Sequence, residues 1–129
     1  MTASEDKSSS GIPSPKSLSE AARSANFSMR LDLHNHTRYS PDSRVVPAEL
    51  VARAKATGLA GVAISDHNAV GGIPAAEEAA GSDFLVIPAI EVSTKSGHVL
   101  AYGVRQIVPR DMSVTETVER IVAEAKRLV

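Results

Sequence analysis

Three short apolar runs, Met29–Leu33, Gly61–Ser65 and Phe84–Pro88, alternate with two stretches whose apolar residues recur at helical spacing. This alternation constrains the fold more than any other feature of the chain. Strands separated by helices read as βαβ units and a parallel sheet, since parallel neighbours need a crossover that is usually helical. Pro47 suits the opening turn of the first helix, which is expected to continue over Ala48–Thr57 with Gly58 as its stop. Leu50, Val51 and Ala54 share its apolar side. A loop over Asp66–Gly72 leads to a second helix expected over Ile73–Ala80. Beyond the third run, Glu91–Thr94, a turn at Lys95–Gly97 and His98–Val104 read as a hairpin. Ser113 with Glu116 three residues on has the form of a capping box, and Val114, Val118, Ile121, Val122, Ala125 and Leu128 then repeat at helical spacing.

Ligands of such sheets bind beyond the carboxyl ends of the strands. The polar residues of this chain gather there: His34 and His36 after the first run, Asp66 and His67 after the second, and Glu91 after the third. His34 and His36 are two positions apart, a spacing that puts both side chains on one face of a strand but about 200° apart on a helix. Asp42 returns within the same tight loop, beside Pro41. A metal site needs several nitrogen or oxygen donors converging on one point, and these residues supply them. Asp66 and His67 are adjacent and face opposite ways on an extended chain. The natural division makes His67 a ligand and Asp66 a carboxylate that orients an imidazole. Glu91 lies between Ile90 and Val92. If those two face the core, Glu91 faces the mouth of the sheet, where a charge is tolerated when paired or metal-bound. His98 follows Gly97 and opens an otherwise apolar run. It reads either as a core histidine or as a further ligand. Arg38 and Arg44 flank the first motif and can hold phosphate oxygens as planar forks, or serve as ordinary solvated loop residues.

Composition narrows the chemistry. The 129 residues contain no cysteine, so thiolate ligands and disulfides are excluded and any metal rests on imidazole and carboxylate, a donor set suited to Zn, Mn or Fe. The net charge of −1 and an aromatic content of 3% argue against a nucleic-acid platform. No apolar run reaches the roughly 18 residues of a membrane span, and the first residues lack the apolar core of a secretory signal, so a cytoplasmic location is expected. Residues 1–28 are Ser-rich, carry Pro13 and Pro15, and are expected to be a disordered tail ahead of a domain over 29–129. Met29 stands immediately before the first strand and is an alternative start.

Taken together, LHNHT-x-x-SPDS, GVAISDHN and PAIEVST followed by GHVLAYG resemble the N-terminal half of the PHP (polymerase and histidinol phosphatase) family of metal-dependent phosphoesterases, over residues 30 to about 104. The resemblance implies a distorted (β/α)₇ barrel with two or three divalent ions at the strand carboxyl ends. It implies that His34 and His36 bind one ion, Asp42 and His67 a second, and that Glu91 bridges, with His98 similar to a third-motif histidine. Members hydrolyse phosphomonoesters, histidinol phosphate and nucleoside bisphosphates among them, or act as polymerase-associated domains. The implied ligand is therefore a small phosphorylated metabolite or nucleotide. The family's later motifs, a His-Pro loop and an Asp-x-His near the end, do not occur between the third motif and Val129. The expectation is thus the N-terminal portion of a longer phosphoesterase, or a half-barrel complemented by another chain or an oligomer contact. The alternative is a catalytically silent metal-binding module with a structural or regulatory role. A zinc amidohydrolase also places His-x-His after its first strand, but SDHN and EVST fit the phosphoesterase pattern better.

Overall fold

A computed structural model of the chain describes residues 28–127. The Ser-rich tail expected to be disordered lies, apart from Ser28, outside the described residues. Four strands and three helices follow in the order β1 (Leu31–Asp32), α1 (Pro47–Ala56), β2 (Gly61–Ile64), α2 (Gly72–Ala80), β3 (Leu85–Thr94), β4 (Gly97–Tyr102) and α3 (Val114–Arg127). The strands lie side by side in sequence order, with β1, β2 and β3 parallel and β4 antiparallel to β3. The two βα crossovers and the hairpin are those that the apolar spacing predicts.

The sheet is strongly curled. Tyr102 at the end of β4 donates its hydroxyl to the Leu33 carbonyl, 2.7 Å away, just past β1, which joins the two outermost strands. The product is a half-barrel, a partial (β/α) barrel. Its outer face carries Val62 and Ile64 of β2, packed with Val51 and Ala54 of α1, Ile73, Ala76 and Ala80 of α2, and Phe84. Further along, Ile90 and Val92 of β3 form a second buried cluster with Ala101, Val104 and Val108, against which Ile121 of α3 packs. Alternation then sends Ala89 and Glu91 to the inner, concave face.

Helix ends follow their sequence signals. Pro47 opens α1, and Gly58, with φ 85°, takes the left-handed conformation just past its end. The capping box of α3 forms as expected: the Glu116 N–H donates to Ser113 Oγ at 3.1 Å, and the Ser113 N–H donates to Glu116 Oε1 at 3.3 Å.

Gly61 marks a close approach between strands. A Cβ at this position would lie 2.5 Å from the Leu85 carbonyl oxygen and 2.7 Å from the Leu85 Cβ. Gly61→Ala is therefore expected to wedge β2 from β3 and to cost about 1–3 kcal/mol, the usual range for overpacking. Urea denaturation checks this, and an unchanged midpoint would show that the sheet yields without strain.

Candidate metal centre

The four histidines of the chain, His34, His36, His67 and His98, form one row at the carboxyl ends of β1, β2 and β3. Successive ring centroids are 5.1, 4.5 and 5.0 Å apart, each pair edge to face. Glu91 lies beneath the row, only 8% exposed. Its Oε1 is 2.9 Å from His34 Nε2, 2.8 Å from His36 Nε2 and 3.8 Å from His67 Nε2. Its Oε2 lies 3.9 Å from His98 Nδ1. Asp42 closes the other side, with Oδ2 at 2.9 Å from His36 Nδ1 and 3.2 Å from His67 Nε2. His36 thus uses both ring nitrogens, one toward each carboxylate.

Each side chain is placed by a local device. β1 ends at Asp32, so His34 and His36 lie in the loop beyond the strand rather than on its last residues. They converge because Asn35, between them, is tied to β2. Its N–H donates to Ser65 Oγ (3.2 Å), its carbonyl accepts from the Ser65 N–H (2.9 Å), and its side-chain amide donates to the Ala63 carbonyl (3.2 Å). His67 continues the line of β2 as an isolated parallel bridge to Glu91. Asn68, at φ 53°, fixes that bridge: its amide oxygen accepts from the Ser93 N–H and its amide NH₂ donates to Ser93 Oγ, both at 2.9 Å. Asn is among the few residues that adopt this left-handed conformation readily. Ile90 and Val92 are wholly buried on the opposite face, which is why Glu91 faces the histidines.

Asp66 does not orient an imidazole, contrary to expectation. Strand alternation turns it to the helix side, where it is 0% exposed, and its carboxylate accepts from the Thr37 N–H and from the Thr37 hydroxyl, the latter at 2.7 Å. It anchors the loop that carries His36 and Asp42. The orienting contact on an imidazole comes from Asp42, at His36 Nδ1. Arg38 and Arg44 are both exposed on that loop. The Arg38 guanidinium lies 5.7 Å from the Tyr39 ring centre, and among the described residues neither arginine pairs with the cluster. Asn35, Thr37, Ser40 and Asn68 are positioning residues that the motif reading overlooked. The Ser-x-Asp spacing at 40–42 was the available signal for Ser40, since a hydroxyl two residues from a carboxylate commonly bonds it.

The electrostatics suit cation binding. The Ser40 hydroxyl, aided by His36 and His67, holds the Asp42 carboxyl down to about 2. Burial opposes the charge on Glu91, yet the His34 and His36 contacts and the charge of His67 outweigh it, and its pKa is lowered. Burial likewise opposes protonation of His36, but the Asp42 and Glu91 carboxylates prevail and raise its pKa. Three overlapping groups result: His34, His36 and Glu91; His36, Asp42 and His67; His67, Glu91 and His98, with donor atoms in each within 4.8 Å of one another. Donors bonded at about 2.0–2.2 Å to one ion lie about 3–4 Å apart, so imidazoles and carboxylates at these separations fit divalent ions with small side-chain adjustments.

The model of the PHP domain family matches residues 32–127. The chain belongs to the PHP family. Among curated relatives, an uncharacterized protein of Methanocaldococcus jannaschii is 32% identical over 104 residues, 72% of this chain and 61% of its own length. A Salmonella typhimurium protein named a 5′-3′ exoribonuclease is 36% identical over 80 residues, 60% of this chain and 27% of its own. The chain therefore spans less than two thirds of either relative. A solved two-domain protein of Bacteroides vulgatus, described as containing a PHP-like metal-dependent phosphoesterase, superposes with a TM-score of 0.65 over 75% of this chain and 33% of that one. At 18% identity, that likeness is one of fold. Among the described residues no helix is long and apolar enough to cross a membrane.

Proposed function

We propose that this chain carries the metal-binding part of a phosphoesterase that hydrolyses phosphomonoesters. The observation that carries this reading is the convergence of four imidazoles and two carboxylates at one end of a parallel sheet. His34, His36 and Glu91 are assigned to one divalent ion and Asp42 with His67 to a second. Glu91 is suited to bridge them because its Oε1 lies between the His34–His36 pair and His67, with Oε2 turned toward His98 as a further donor. Zn, Mn and Fe all match these donors. Bound there, paired ions would clamp a phosphoryl group, lower the pKa of a water and stabilise the departing oxygen. Around them, Asp42 fixes the His36 ring through Nδ1, and the Asn68–Ser93 amide bonds hold His67 opposite Glu91. Arg38, on the loop joining His36 to Ser40, is assigned to substrate phosphate oxygens.

The alternative, a metal-binding module without turnover, is favoured by the concave face. Leu31, Leu33, Leu85 and Tyr102 are each between 40% and 50% exposed, and alternation from Ala89 places Leu85 and Tyr102 on the inside of the curl. A complete barrel fills its interior with layers of side chains from all its strands. We assign this face to further strands, from a longer chain or from a partner. The deciding assay uses the purified chain loaded with Mn²⁺ or Zn²⁺, with p-nitrophenyl phosphate as monoester and a short RNA as diester. Monoester hydrolysis that a chelator abolishes and added metal restores supports the proposal. Hydrolysis confined to RNA would replace the monoester with the activity named for the Salmonella relative. Metal uptake without turnover on either ester would leave the silent module.

A further inference from the structure

Ser40 touches two different members of the cluster at once. It is 1% exposed. Its hydroxyl donates to Asp42 Oδ1 at 2.7 Å and accepts from the His67 N–H at 3.1 Å. Asp42 and His67 are 25 residues apart and sit on separate loops, one after β1 and the other after β2. With Oδ1 engaged by Ser40, the other oxygen, Oδ2, is the one presented to His67 Nε2 at 3.2 Å. The seryl backbone is fixed in turn, its N–H donating to the Thr37 carbonyl at 2.9 Å. The hydroxyl is therefore a pin with two ends, one on a carboxylate and one on the backbone of an imidazole. By contrast, neither His34 nor Glu91 is hydrogen-bonded to Ser40 among the described residues.

We propose that Ser40 is a positioning residue that assembles the Asp42–His67 half of the metal centre directly, reaching the His34–His36–Glu91 half only at second hand, through the Asp42 contact on His36. The inference rests on the assignment of Asp42 and His67 to a common ion. Removing the hydroxyl frees Asp42 to rotate and leaves the His67 N–H without its acceptor, so both donors of that subsite are loosened together. Groups that orient a ligand in this way typically contribute about 10- to 100-fold in metal affinity.

The test is calorimetric titration of the metal-free chain with Zn²⁺ and, separately, Mn²⁺, comparing the natural sequence with Ser40→Ala and Ser43→Ala. Ser43 lies on the same loop, but its hydroxyl donates to the His36 carbonyl and accepts from the Val45 N–H, so it touches the backbone of the other half of the centre and neither Asp42 nor His67. Ser40→Ala should weaken one class of site about 10- to 100-fold and the other by less, since Asp42 reaches that class only through the His36 ring, while Ser43→Ala spares the class that Ser40→Ala weakens. Two variants identify the class that is lost. His34→Ala should remove the class that survives in Ser40→Ala, and Asp42→Asn should remove the class that Ser40→Ala weakens. Equal weakening of both classes by Ser40→Ala would mark a general loop defect and overturn the proposal, as would no change in either. If the natural sequence takes up no ion, the metal assignment itself fails and the proposal with it. If it binds two and Ser40→Ala discriminates between neither, only the role of Ser40 falls.

Discussion

Replacing Glu91 with Gln is expected to lower metal affinity by more than the roughly 100-fold attributed to groups that merely orient a ligand. Glu91 Oε1 lies within 3.8 Å of three imidazoles and Oε2 within 3.9 Å of the fourth, so its carboxylate is common to two of the three donor groups. Gln keeps the volume but removes the charge, and it turns one of the two oxygens into a hydrogen-bond donor. If turnover depends on the ions, losing several kcal/mol of charge stabilisation corresponds to a rate loss of about 10³-fold. Metal content after equilibrium dialysis, read by mass spectrometry, checks the first part independently of the second. A Gln variant that retains a full complement of metal would show that Glu91 is not a ligand.

Asp66→Ala is expected to act by a different route, on stability in metal-free buffer. The change leaves the buried Thr37 N–H and hydroxyl without acceptors. Each orphaned buried donor costs about 1–3 kcal/mol, so a loss of about 2–6 kcal/mol is expected. Domains of this size have about 5–15 kcal/mol in total, and each kcal/mol moves Tm by about 4–8 °C at 60–100 residues. A fall of at least about 8 °C, and up to complete unfolding at ambient temperature, should therefore appear in a thermal melt recorded with chelator present. Asp66→Asn keeps one acceptor oxygen and should fall between the two. An unchanged Tm for Asp66→Ala would mean that the Thr37 loop is held by other contacts.

How much of this was legible in the sequence depends on the range of the interaction that decides each feature. The helices, β2 and the capping box at Ser113 are set by contacts within a few residues, and their periodicity and caps identify them. The apolar run alone marks the third strand over Phe84–Pro88. The strand in fact runs on to Thr94. Pairing with β2 ends at Pro88 and pairing with β4 begins at Ala89, so the proline sits at the changeover. β1, read over Met29–Leu33, pairs only at Leu31 and Asp32. The same reasoning separates the candidate site residues. His34, His36, Asp42, His67, Glu91 and His98 were nominated by residue type and spacing, and the fold brings all six together. The role of Asp66 was misassigned because its partner, Thr37, is 29 residues away and on the other side of β2 from the histidines. Ser40 and Asn68 went unnoticed because a hydroxyl or an amide becomes informative only when its distant partner, His67 or Ser93, is known.

The central claim is that one row of histidines with Glu91 and Asp42 holds divalent metal. Anomalous diffraction from crystals grown with Mn²⁺ or Zn²⁺, with data on both sides of the metal absorption edge, tests it most directly. The account predicts two peaks about 3.5–4 Å apart, one against His34, His36 and Glu91 and the other against Asp42 and His67. Peaks placed elsewhere on the protein, or no peak beside Glu91 at saturating metal, would contradict it.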